Sequence, residues 1–195
     1  RLIAVGAGAL VATCGPALAQ PANNACSSAI NLIVPTNGSV SINGTTVAST
    51  FDGGTGNCGS SGATGDVWYT VTAPATGQLT ADTCTAFSYD TVVGFRTSAA
   101  CPGAAITSGC NDDSCGNGSS VTIPVTAGTV YRIRVSGFNG ATGTFTLKVT
   151  HSPPPAPPSP SIGPDVITAT VYDIARYGTD ATGTITAYAV GTESN

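Results

Sequence analysis

The sequence predicts an all-β protein whose main body is an antiparallel β-sandwich stabilised by disulfides. Three observations predict it. Apolar residues alternate with a period of two, turn-forming pairs separate the alternating stretches, and six cysteines follow a leader of the kind that directs export.

The chain opens with RLIAVGAGALVATCGPALAQ: a basic residue, an apolar run from Leu2 to Thr13, a Gly15-Pro16 break and the small-residue pattern Ala17-Leu18-Ala19. This reads as a signal peptide over 1–19, cleaved before Gln20. The apolar run is about a dozen residues against the roughly 20 that a membrane span needs, so no transmembrane segment is expected. Val11-Ala12-Thr13-Cys14 approaches a lipoprotein signal, but Thr13 stands where a smaller residue is wanted. A short polar lead, 20–23, precedes the body, residues 24–150.

Within the body, DVWYTVTAP sets Val67, Tyr69 and Val71 against Trp68, Thr70 and Thr72. YRIRVSG sets Tyr131, Ile133 and Val135 against Arg132 and Arg134, and GTFTLKVT directs Phe145, Leu147 and Val149 inward. Such alternation predicts strands with one apolar and one wet face. Turns are expected at Asn37-Gly38, Asn43-Gly44, Pro74 to Gly77, Asn117-Gly118, Ala127-Gly128 and Asn139-Gly140. After the body, seven prolines from Pro153 to Pro164 predict an extended Pro-rich linker over 151–164. Residues 165–195 read as the incomplete start of a second β-rich module.

With the leader removed, Cys26, Cys58, Cys84, Cys101, Cys110 and Cys115 remain, an even set that implies disulfides and a secreted or cell-surface location. Spacing leaves the pairing open. The pairing expected is Cys101 with Cys110, because CPGAAITSGC can fold back on itself, with Cys26 to Cys58 and Cys84 to Cys115. Charge is scarce, ten acidic against six basic side chains. That balance argues against nucleic acid and anionic membranes as partners, since both reward clustered Lys and Arg.

In order along the chain come DVWYTVTAPATGQLTADTC, YDTVVGF and CNDDSCGNGSSVTIPVTAGTVYRIRVSGFNGATGTFTLKV. Together these resemble the bacterial pre-peptidase C-terminal domain, in a cysteine-rich form found in exported proteins. The resemblance rests on Asp66, Trp68 and Tyr69, on Gly77 to Thr80, on Tyr89-Asp90-Thr91, and on the two closing strands. It implies a jelly-roll-like sandwich that is not itself a catalyst, attached to secreted proteins that are often hydrolases, and in some members able to bind a substrate polymer or calcium. A position near the N-terminus departs from the family habit of following a catalytic domain.

The residues point away from catalysis within this stretch. His151 is the only histidine, sits at the mouth of the linker and reads as an exposed residue, so a Ser-His-Asp site in the body lacks its base and a two-histidine zinc site is excluded. No glutamate occurs before Glu193, and nothing sets two aspartates at glycosidase spacing. No cofactor is expected, with calcium the one exception. Asn111, Asp112 and Asp113 offer hard oxygen ligands, and Asp90 of the Tyr-Asp-Thr turn is the first candidate to join them; the competing reading is a polar turn capped by its own side chains. Trp68 is either an exposed platform for a polymer or a buried residue, the alternation allowing both. The function expected is therefore a non-catalytic binding module that positions an exported protein at an extracellular polysaccharide or protein polymer, or at the cell surface. The alternatives are the targeting part of a secreted hydrolase whose active site lies elsewhere, and a structural spacer.

Overall fold

The computed structural model describes residues 18–52, 58–59, 64–97 and 100–155. Most of the expected signal segment with Cys14, most of the linker and the second module lie outside these residues. Nine strands form among these residues: β1 Ile30–Leu32, β2 Ser39–Thr45, β3 Asp66–Thr72, β4 Gly77–Asp82, β5 Thr91–Thr97, β6 Ala105–Asn111, β7 Ser120–Val125, β8 Val130–Gly137 and β9 Thr144–Ser152. They make a five-stranded sheet in the order β1-β3-β8-β5-β6 and a four-stranded sheet in the order β2-β9-β4-β7. All pairings are antiparallel except β1 on β3. This is the all-β sandwich that the alternation predicts.

The inward residues of the two sheets make one core. Val67, Tyr69, Val71, Val93, Phe95, Ile133 and Val135 come from the larger sheet, and Leu79, Ala81, Val121, Ile123, Phe145, Leu147 and Val149 from the smaller. Tyr69 and Tyr89 both meet the Phe145 ring edge-on, with centroids 6.5 and 6.4 Å away. Such contacts suit the ring quadrupole and fix the sheets' relative placement.

The outer face of the larger sheet departs from the wet face expected. Register places Asp66 and Trp68 of β3 beside Ser136 and Arg134 of β8. Trp68 and Asp66 are 0% exposed and Arg134 1%. A second layer covers them: Asp66 N–H donates to Thr50 O, Phe51 lies over the Arg134 guanidinium, and Cys26 N–H donates to the Asp52 carboxylate. A buried charge needs a partner. Arg134 Nε donates to one Asp66 carboxylate oxygen at 2.7 Å, and Trp68 Nε1 donates to the other at 2.9 Å. Arg96 lies over the Trp68 ring, 6.0 Å from its centroid, and donates to Gly103 O.

His151 is a second departure. It is buried, not exposed, because β9 runs on through Ser152 before the prolines begin. Asn37 N–H donates to its Nδ1, which makes Nε2 the protonated nitrogen, and Nε2 donates to Ala75 O at 3.0 Å. The ring thus ties the β1–β2 and β3–β4 turns to β9. Asn43-Gly44, expected as a turn, lies inside β2. A Cβ on Gly44 would stand 2.5 Å from both Tyr69 Oη and the Phe145 ring, so glycine serves a close approach here.

Disulfides join Cys26 to Cys101, Cys58 to Cys110 and Cys84 to Cys115. All six cysteines pair, and Cys84–Cys115 is the pairing expected. The expected Cys101–Cys110 and Cys26–Cys58 bridges do not form. CPGAAITSGC does not fold back, because its residues from Ala105 onward are β6. At ~3.3 Å per residue a strand carries Cys110 well over 10 Å from the loop holding Cys101, beyond the ~7 Å that a bridge can span between Cα atoms.

Candidate functional site

Antiparallel register brings the loops 83–90, 112–119 and 138–143 to one end of the sandwich. Thr91, the first residue of β5, faces Gly137, the last of β8. The loops are then laced by backbone bonds: Phe138 N–H donates to Asp90 O, Thr91 N–H to Asn117 O, and Thr83 N–H to Ser119 O. Thr83, Thr91 and Ser119 are all 0% exposed, and their hydroxyls bond one another. The Ser119 hydroxyl also bridges the carbonyl oxygens of Thr91 and Asp112. Cys84–Cys115 clamps two of the loops covalently.

This lacing gathers Asp90, Asp112 and Asp113, with one carboxylate oxygen from each lying within 4.8 Å of the others. Oδ1 of Asp90 and Oδ1 of Asp112 are buried and accept no hydrogen bond from the described residues. Burial, then the charge of Asp113, raises the Asp90 pKa above its ordinary value. Burial, then Asp113 and Asp90, does the same to Asp112. Two partly buried carboxylates beside an exposed third, Asp113, with hard oxygens left over, have the chemistry of a divalent-cation site. Calcium takes several oxygens at about 2.3–2.6 Å, so oxygens at this mutual spacing fit around one ion.

The fourth residue expected at the site is turned away in part, since Asn111 Oδ1 accepts from Ser120 N–H at 3.0 Å and shapes the entry to β7. A neighbour not foreseen is Gly59. Its φ is +61° and a Cβ there would lie 2.5 Å from Asp112 Oδ2, so the Cys58–Cys110 bridge holds backbone directly against the cluster. No local motif marks Gly59, because its neighbour Asp112 is distant in sequence. Trp68 contributes no exposed platform: it is fully buried beneath Arg96.

Residues 22–149 match a family described as galactose binding domain-like, of the type associated with type IX secretion. The chain belongs to this family. Membership of the galactose-binding-domain-like family fits the pre-peptidase C-terminal-like domain indicated by the motifs around Asp66, Asp90 and Tyr131. Among solved structures, the pre-peptidase C-terminal domain of a collagenase from Bacillus anthracis is similar at 13% identity and a TM-score of 0.41, over 63% of this chain and 94% of that one. PliG of Aeromonas hydrophila, a periplasmic inhibitor of g-type lysozyme, is similar at 17% identity and a TM-score of 0.40, over 63% of this chain and 96% of that one. No curated protein matches the chain.

Proposed function

We propose that this galactose-binding-domain-like sandwich is a non-catalytic accessory module of an exported protein, which it holds at an extracellular polymer or at the cell surface. Family membership over 22–149 carries the reading. A polysaccharide is the polymer that the family's description favours. Three disulfides suit an oxidising, extracellular setting. No helix among the described residues is long and apolar enough to cross a membrane. The one histidine supports the same reading, since both of its ring nitrogens are committed to backbone groups far from the carboxylate cluster.

Within this function Asp90, Asp112 and Asp113 hold a calcium ion. Bound there, calcium would supply positive charge that offsets the mutual repulsion of the carboxylates. The residues' own part is to bring β4–β5 and β6–β7 loops to one point, so that the ion sets the shape of that end of the sandwich.

Pelleting the exported protein with insoluble polysaccharides and with fibrous protein, in calcium and in chelator, tests the proposal. Retention on at least one polymer is expected. A folded protein that stays in the supernatant with all of them contradicts it.

A further inference from the structure

Three recesses adjoin one another where the first residues of β9 run between β2 and the segment 86–88. The central one, about 420 Å³, includes Asn43, Phe87, Ser88, Thr144 and Thr146 in its lining. A second, about 310 Å³, shares Phe87 and Ser88 with it and extends to Asn117. A third, about 430 Å³, shares Asn43 and Thr144 and extends past Gly44 towards Tyr69 and the segment 21–23. Shared walls make them one groove, and each part has the size of a small-molecule site.

The chemistry of the walls is uniform. Among the described residues, none that lines any of the three recesses is charged. The polar groups are neutral amides and hydroxyls, and several are held in place before any ligand arrives. Thr146 Oγ1 donates to Asn43 Oδ1 at 2.9 Å, which fixes the amide and leaves its two Nδ2 hydrogens for the groove. Ser88 Oγ accepts from Thr144 N–H at 2.9 Å and lies 3.3 Å from Thr144 Oγ1. Phe87 is half-buried, bridges to Phe145, and packs so closely on Gly118 that a Cβ there would lie 2.7 Å from its ring. Its remaining surface is rigid and lines both the central and the second recess.

A rigid aromatic surface flanked by fixed, uncharged donors and acceptors matches a molecule with apolar C–H faces and neutral hydroxyls around its rim. Preorganised groups lose little freedom on binding, so modest contacts can still give affinity. Charged ligands find no counter-charge in these walls. The run of three recesses suits a chain of rings better than a single one.

We propose that this groove binds a short run of neutral sugar residues within a polysaccharide, with Phe87 beneath a sugar ring and the Asn43 amide donating to its oxygens. The proposal rests on the reading of the domain as a polymer-binding module and names the site and ligand class of that module.

Calorimetric titration of the exported protein with oligosaccharides of neutral galactan, glucan and mannan, and with an acidic polyuronate and fibrous protein as contrasts, tests it. Binding to at least one neutral series is expected. Asn43→Ala, at an exposed position, should weaken that binding about tenfold, the scale of one lost hydrogen bond and its geometry. Phe87→Ala should weaken it at least as much, and Thr122→Ala, on the β7 edge away from the groove, should leave it within about twofold. If the wild type binds a neutral glycan and Asn43→Ala and Phe87→Ala bind it equally well, the groove is the wrong site while the accessory function stands. Binding confined to the polyuronate or fibrous protein also overturns the groove. Binding to no polymer at all removes both the groove and the function proposed above.

Discussion

Asp66→Leu should be among the most destabilising single substitutions in the domain. The Asp66 carboxylate is 0% exposed and serves Arg134, 1% exposed, through a 2.7 Å bond, while its other oxygen accepts from Trp68. It also acts on Arg96, whose pKa burial and then Arg134 lower, with Asp66 raising it. Removing the carboxylate strips negative charge from beside two buried guanidiniums, and guanidinium does not deprotonate in proteins. Breaking a buried pair in this way costs about 3–5 kcal/mol, a fall of roughly 10–20 °C in Tm for a domain of this size. The reverse change should cost less. Burial already outweighs Arg134 in raising the Asp66 pKa, so in Arg134→Met the carboxyl can take up a proton and become neutral. The double variant, with neither charge, should recover much of the loss. Urea unfolding of the three variants and the parent gives the cycle. A cost below about 1 kcal/mol for Asp66→Leu, or a larger cost for Arg134→Met, would refute the reasoning.

Calcium should raise Tm, by an amount equivalent to about 2.7 kcal/mol at a hundredfold excess over Kd, and Asp112→Asn should abolish the gain; no gain at millimolar calcium would return the cluster to a simple turn. The folded pKa values of Asp90 and Asp112 lie above their unfolded ones, so the folded state binds protons more tightly. In chelator, that contribution to stability is therefore present at low pH and lost as pH rises from about 4 through the folded values. Asp66 adds a slope of the same sign, so the calcium-dependent difference in Tm is the quantity to follow, and it should grow with pH across that window. Alkylation of the unreduced protein should label none of Cys26, Cys58, Cys84, Cys101, Cys110 or Cys115, and peptide mapping should recover Cys26 with Cys101; recovery of Cys101 with Cys110 would contradict the topology. Replacing Cys84 and Cys115 by serine opens a loop of 31 residues and should cost about 3–4 kcal/mol by loop entropy. His151→Ala leaves the Asn37 N–H and Ala75 carbonyl without their partner and should lower stability by about 1–3 kcal/mol in the same unfolding assay; an unchanged midpoint would show that water replaces the ring.

Period-two alternation was enough to place the core strands, because Val67, Tyr69, Ile133, Val135, Phe145 and Leu147 face the opposite sheet as the pattern requires. It could not show that the other face of β3 and β8 is also covered. The cover includes Phe51 against Arg134 and Arg96 over Trp68, neither adjacent in sequence to the residue it covers, and the Thr50 to Asp52 segment is tied to Asp66 and to Cys26 by hydrogen bonds. Trp68 and Arg134 are buried for that reason. Pairing of the cysteines depended on the same long-range placement, and only Cys84–Cys115, between two loops at one end, followed the expectation. Asp90 could be placed with Asp112 and Asp113 through the family-like motif. Gly59 could not, since its role is a contact across the Cys58–Cys110 bridge. Gly44 misled in another way: Asn-Gly is a strong turn signal, yet the glycine answers to Tyr69 and Phe145 pressing on it from inside the sandwich.

The proposed role of the domain is to position a larger exported protein without doing chemistry. Deleting residues 20–152 from that protein and measuring its partition between polymer or cell surface and medium tests the claim most directly. The shortened protein should be released into the medium with the activity of its remaining parts intact. Retention equal to that of the full protein would contradict it.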